Sequence, residues 1–174
     1  MDITEATPDF EAISGGEGFD LVNIANVLFH IPEPDKFLNA LRNAAKLVKP
    51  EGRMVTTEYL PRTTARTNWM LVRSRYEFEA AIRSVGLRMV DVCPSVFFAN
   101  DPIGVDGPDQ SVRGHFHQVR AGMQAIQNLS MNEASRTFFA NFLADIERCL
   151  LAYCGERVAP VDFPSQKLVV LARG

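Results

Sequence analysis

The first apolar run of the chain, Phe19 to Val27, is apolar at both odd and even positions. That is the pattern of a parallel strand covered by helices on both faces. Pro32 and Pro34 punctuate the loop after it, and Phe37, Leu38, Leu41, Ala44, Ala45 and Val48 then recur at helical spacing with Lys and Arg between them. Lys49 and Pro50 end this helix, and Gly52 permits a sharp return. RMVTTEYL, Arg53 to Leu60, is rich in β-branched residues and predicts a second strand. A polar linker, PRTTARTN, leads to Trp69 and Met70. In SRYEFEAAIRSVG, Ser74 stands at an N-cap, Glu77 three residues on completes a capping box, and Gly86 sits at the stop. LRMVDVCPSVFF predicts a third strand, in which Pro94 requires an edge position or a bulge.

This alternation of strand and helix predicts an α/β fold with a mainly parallel sheet. NDPIGVDGPDQ is a turn-rich break. Beyond it, Ser111 to Leu129 and Asn132 to Tyr153 predict two helices. The second carries Phe138, Phe139, Phe142, Ile146, Cys149, Leu150 and Tyr153 along one side. That stripe reads as core packing, with a lid over an apolar pocket as the other reading. QKLVVLAR predicts a final strand. The organisation is one domain, with an α/β core over 1–108 and 161–174 and a helical insertion over 109–160.

The bulk numbers fit this picture. A chain of 174 residues suits one domain, and 47% hydrophobic with 22% charged residues describes a globular protein, neither disordered nor membranous. A net charge of -3 gives no reason to expect nucleic acid. The cluster Arg62, Arg66, Arg73 and Arg75 reads as solvated surface. Cys93, Cys149 and Cys154 are odd in number and lack CxxC spacing, so neither a disulfide framework nor a zinc site is expected. MDITEATPDF lacks the features of a signal peptide, and no apolar stretch approaches the roughly 20 residues that span a bilayer. A cytoplasmic protein without a membrane partner is the expectation.

In a doubly wound sheet, ligands bind beyond the carboxyl ends of the strands. The candidates there are Asn26, Phe29 and His30, then Glu58 and Tyr59, then Phe97 and Asn100. Asn26 and His30 can equally serve to bond loop backbone, as buried polar groups must. His30 is the candidate general base, because imidazole titrates at about 6.5; packing against a helix is its other reading. His115 and His117 face opposite sides of a helix, so no metal site is expected. GGEG, Gly15 to Gly18, precedes a strand and reads as a turn rather than a phosphate loop. No GxSxG, HExxH or P-loop occurs, which leaves hydrolase and NTPase readings without support.

Phe19 to Leu60 resembles the second half of a class I S-adenosylmethionine-dependent methyltransferase. The correspondence runs through Phe19 to Val22, Leu28 to Ile31 and Leu47 to Met54, with Glu51 where a glycine is usual. RYEFEAAIRSVGLRMVDV is similar to that family's next helix and strand, with Val85, Gly86 and Leu87 at the turn. The resemblance implies a Rossmann-like, partial doubly wound sheet made of strands four to seven, with S-adenosylmethionine as cofactor and a small molecule as methyl acceptor. It implies cofactor contacts at Asp2 and Ile3 on the adenine side and at Asn26 and His30 on the methionine side. Glu58, Tyr59, Arg75 and Tyr76 then lie toward the substrate. The family's glycine-rich loop and its ribose-binding acid have no counterpart. The chain therefore reads as a carboxyl half: a fragment, a truncated product or part of a split assembly. The edge of its first strand invites a homodimer or a missing amino-terminal half. The alternative is an inactive methyltransferase-like module for interaction or dimerisation. A hydride-transferring enzyme is disfavoured by the order of the motifs.

Overall fold

The computed structural model describes residues 3–4, 15–66, 68–96, 118, 121–126, 128–129, 131–156 and 166–174. Strand β1 spans Phe19–Ile24, helix α1 Pro34–Leu47 and strand β2 Val48–Glu58. A short hairpin follows, β3 (Ala65–Arg66) and β4 (Leu71–Val72), then helix α2 (Arg75–Ser84) and strand β5 (Leu87–Val96). Helix α3 (Glu133–Gly155) and strand β6 (Gln166–Arg173) complete the fold. Asp2, Phe97, Asn100, His115 and His117 lie outside the described residues, as does most of the expected helix from Ser111, of which residues 121–126 are helical.

Local chemistry sets the helix ends. α1 begins with Pro34, where a missing N–H costs nothing, and carries Asp35 in its first turn and Lys46 in its last, matching the helix dipole. α2 has the capping box in full: Ser74 Oγ accepts from Glu77 N, and the Glu77 side chain accepts from the Ser74 N–H. Gly86, at φ +76, takes the left-handed conformation that ends the helix.

The sheet order is β1-β2-β6-β5. β1 and β2 pair in parallel, while β6 pairs antiparallel with both β2 and β5. β5 therefore runs in the same direction as β1 and β2. It is an edge strand with register shifts at Met89/Asp91 and Pro94/Val96, as its proline requires.

The chain crosses from β1 to β2 and from β2 to β5 in one direction along the sheet. Right-handed crossovers that advance in one direction place their helices on one face. Accordingly Phe37, Ala40, Leu41 and Ala44 of α1 share one core with Phe78 and Ile82 of α2 and with Ile24, Met54, Val169 and Leu171 of the sheet. The opposite face carries Leu21, Val55, Leu168 and Val170 by strand alternation.

This corrects the expectation of a first strand buried on both faces. Phe19 and Leu21 are exposed, and only Ile24 of β1 is buried, because β1 is an edge strand whose helices lie on one side. β1 also stops at Ile24 rather than Val27, since Asn26 adopts φ +57 and breaks the extension. Lys49 and Pro50 belong to β2 instead of a loop. The stripe expected on α3 is rotated by about one residue. Phe139, Leu143, Ile146 and Leu150 are half-buried, whereas Phe138 (72% exposed) stacks on Phe142 (50% exposed) toward solvent. Among the described residues, no helix is long and apolar enough to cross a membrane, and no group of three His, Cys, Asp or Glu could hold a metal. Cys93 and Cys149 are free and exposed.

Gly52 is required by closeness rather than by a turn. A Cβ there would stand 2.8 Å from Phe19 O, 3.0 Å from Val48 Cγ1 and 3.1 Å from Asp20 O. Two of these atoms are backbone and cannot swing aside. Gly52→Ala is expected to destabilise by about 1–3 kcal/mol through overpacking, read as a lower urea midpoint at unchanged slope. A midpoint equal to that of the unaltered protein would mean that β1 does not seat against Gly52.

Candidate functional site

Polar groups gather where β1 and β2 end and β6 begins. Because β6 is antiparallel to β2, its first residues lie beside the last residues of β2: Lys167 is opposite Glu58, and Leu168 opposite Thr57. Asn26 turns the chain out of β1 in the left-handed conformation, which asparagine tolerates better than most residues. Three hydrogen bonds hold it. Its N–H donates to Thr57 Oγ1 (2.7 Å), and its Oδ1 accepts from Thr57 Oγ1 (3.1 Å) and from Gln166 Nε2 (2.6 Å). The ends of three strands are thereby tied at one side chain.

The turn delivers the single 3-10 turn Leu28–His30, whose Leu28 and Phe29 are buried and whose His30 is exposed. His30 Nδ1 lies 3.2 Å from Trp69 O. A carbonyl only accepts, so Nδ1 is the donor in this bond. The Tyr59 ring meets Phe29 edge-on at 5.7 Å, and with Val72 these form a small second core beneath the β3–β4 hairpin. Leu60, at φ +51, is a buried non-glycine residue in the left-handed region, a conformation that costs on the order of 1 kcal/mol or more and is held by its place in the core.

Behind this turn stands a buried polar layer. Lys167 is 1% exposed and donates from Nζ to Tyr59 O at 2.5 Å. Glu58 is 4% exposed, and burial pushes its carboxyl from 4.5 up to about 8, against the opposing influences of the Thr56 hydroxyl and Arg73. Thr56 Oγ1 is 3.1 Å from Ile24 O and 3.2 Å from Glu58 Oε1. One hydroxyl carries one proton, so a protonated Glu58 that donates to Oγ1 lets Thr56 donate to Ile24 O and satisfies both contacts.

Of the residues expected from the sequence, Asn26, His30, Glu58 and Tyr59 come together here. Ile3 packs against the main core, and its carbonyl accepts from Asn43 Nδ2 at 2.9 Å. Arg75 and Tyr76 stand apart on the first turn of α2, Arg75 paired with Glu79 at 2.8 Å and Tyr76 82% exposed. Asn26 bonds side chains of neighbouring strands rather than its own loop. His30 bonds a backbone carbonyl, and its ring lies against that of Phe29 at 4.6 Å between centroids. Sequence reasoning missed Gln166 and Lys167. Their only signal was two long polar residues opening an otherwise apolar strand. It also misplaced Arg73, which is 8% exposed instead of solvated.

No family model matches the chain, and no curated protein sequence matches it. Solved structures do resemble it. The O-methyltransferase of a trans-AT polyketide synthase multienzyme from Brevibacillus brevis, in complex with S-adenosyl-L-homocysteine, aligns over 100% of this chain and 48% of its own, at 14% identity and a TM-score of 0.51. The CcbJ methyltransferase from Streptomyces caelestis aligns over 53% of each chain at 14% identity and a TM-score of 0.41. Mitomycin 7-O-methyltransferase MmcR aligns over 54% of this chain and 29% of its own, at 26% identity and a TM-score of 0.40. The chain thus spans about half or less of each of these proteins. The Brevibacillus likeness is one of fold: a mixed α/β sheet with flanking helices.

The buried carboxyl gives the site a pH signature. Unfolded, Glu58 releases its proton near 4.5; folded, it holds it to about 8. Between these values the folded state binds more protons, so the stability Glu58 contributes is full below about 4.5 and is lost as pH rises through about 8. Glu58→Gln keeps the shape and removes the titration. Urea unfolding at pH 5 and pH 8.5 is expected to show the unaltered protein losing on the order of a few kcal/mol relative to the variant. Parallel pH dependence in the two proteins would mean that Glu58 is not buried as described.

Proposed function

We propose that this chain is the carboxyl-side half of a methyltransferase fold whose complete form transfers a methyl group from S-adenosylmethionine to a small-molecule acceptor. On this reading β1, β2, β5 and β6 correspond to strands four, five, six and seven of a doubly wound sheet. The observation that carries it is the end-to-end alignment of the chain with the Brevibacillus O-methyltransferase, together with a last strand inserted antiparallel between two that run the other way. The motif order read from the sequence, Phe19 to Val22 then Leu28 to Ile31 then Leu47 to Met54, supports the same assignment.

The residues fit one end of such a cofactor. Asn26 keeps its amide nitrogen and His30 its Nε2 clear of the bonds that position them. The family resemblance assigns Asp2 and Ile3 to the adenine side. The cofactor supplies the electrophilic methyl group. The chain's own part is to hold groups in place, since in-line positioning can contribute most of such a rate enhancement. The family resemblance puts Glu58, Tyr59, Arg75 and Tyr76 on the acceptor side, the last two on the first turn of α2, apart from the strand-end cluster. His30, the candidate base, is exposed.

Titration of the chain with S-adenosylhomocysteine, followed by backbone amide NMR, tests this. Weak, saturable shifts confined to residues 25–31 and 56–59 are expected, with a dissociation constant of roughly 1 mM, near -4 kcal/mol, and Asn26→Ala is expected to weaken them at least several-fold. Shifts scattered elsewhere, or none, would remove the cofactor assignment.

A second reading, a catalytically inactive interaction or dimerisation module, is favoured by one observation: the open edge of β1, with Phe19 37% and Leu21 61% exposed. Light scattering separates the two. Concentration-dependent dimers that Leu21→Lys dissolves support the module, and a strict monomer at all concentrations discards it.

A further inference from the structure

A groove of about 350 Å³ runs between α1 and α2, with Thr64 and Leu71 of β4 also lining it. None of Asn26, His30, Tyr59 and Gln166 lines it, so it is separate from the cluster at the strand ends. Its walls include Phe37, Leu71, Ala80 and Ala81, and its polar groups include Arg73 and Glu77. The volume is that of a small-molecule site, and the make-up, apolar walls with a few fixed polar groups, is also typical of one.

The two charged groups differ in what they leave open. The Glu77 carboxylate is already engaged: it accepts from the Thr64 hydroxyl and from Ser74 N at the cap of α2. Arg73 is 8% exposed, and its guanidinium carbon lies 3.5 Å from the centre of the Phe37 ring. Among the described residues it makes one hydrogen bond, from Nη2 to Ile31 O at 2.8 Å. A guanidinium has five N–H donors in a planar fork. Most of them therefore remain without a protein partner on a buried, groove-lining cation. Glu58 and Glu77 both act on Arg73 through space, but among the described residues neither carboxyl hydrogen-bonds its guanidinium, Glu58 being bonded to Thr56 and Glu77 to Thr64 and Ser74. A buried cation is costly unless it is paired and hydrogen-bonded, and a carboxylate satisfies two of its donors at once.

We propose that this groove binds a small carboxylic acid with an apolar tail, the carboxylate on Arg73 and the tail along Phe37, Leu71, Ala80 and Ala81. The apolar walls favour such a ligand over inorganic phosphate, which has no tail to bury. The size of the groove, about 350 Å³, favours a small molecule over a polypeptide.

Sodium octanoate is the probe, titrated into the full chain at pH 7 and followed by backbone amide NMR. Saturable shifts on groove residues are expected, with a dissociation constant of roughly 1 mM or tighter, and octylammonium and 1-octanol are expected to bind at least about tenfold more weakly. Arg73→Met is expected to abolish the preference for octanoate. Because Arg73 also holds Ile31 O, a second variant keeps the test decisive if that one fails to fold. Ala80 is exposed on α2, and Ala80→Trp fills the groove without touching the core; it is expected to abolish octanoate binding with the circular dichroism spectrum unchanged. Octanol binding as tightly as octanoate overturns the proposal. So does undiminished octanoate binding in a folded Ala80→Trp, or an absence of groove shifts at saturating probe. These outcomes are independent of whether S-adenosylhomocysteine binds at Asn26.

Discussion

The insertion of β6 between β2 and β5, antiparallel to both, is the constraint on which the rest of the structure depends. It joins the β1–β2 pair to an edge strand that would otherwise have no neighbour. It also reverses the usual geometry of a strand-end site. In a purely parallel sheet every group at the carboxyl edge comes from a strand's last residues. Here the first residues of β6 reach the same edge, so Gln166 can bond Asn26 and Lys167 can bond Tyr59 O. Removing β6 would leave the turn at Asn26 held by Thr57 alone and expose the inner edge of β2.

The polar layer at that edge is expensive to bury and is satisfied at each point where the geometry can be read. Lys167 sits on a carbonyl, Thr56 bridges Ile24 and Glu58, and Glu58 avoids a buried negative charge by keeping its proton. Leu60 accepts a left-handed backbone because its side chain is held in the main core. Such concentration of buried polar groups and backbone strain at strand ends is the usual character of a functional region. Arg73 extends the same logic to the α1–α2 groove.

The opposite side of the molecule has a different character. Both crossover helices of the parallel strands occupy one face, because the chain advances across the sheet without reversing. Among the described residues β1 has no strand on its outer side, and Leu21 is exposed on the other face.

What the sequence determined by itself was local. The cap at Ser74 and Glu77, the stop at Gly86, the edge placement demanded by Pro94 and the alternation of strand and helix were all legible, because each rests on backbone conformation or hydrogen bonds within a few residues. Asn26, His30, Glu58 and Tyr59 were legible as strand-end residues for a related reason: strand ends are marked by turn chemistry. Tertiary structure alone decided the rest. Arg73 looks like a surface arginine until Phe37, far away in sequence, is brought beneath it. Gln166 and Lys167 acquire their partners only when β6 inserts beside β2. The apolar run of β1 carries no mark of which face will be covered, and the Phe stripe of α3 none of which side turns inward. Burial depends on which elements meet, and that is set by the order in which strands pair, information spread over the whole chain rather than held in any one segment.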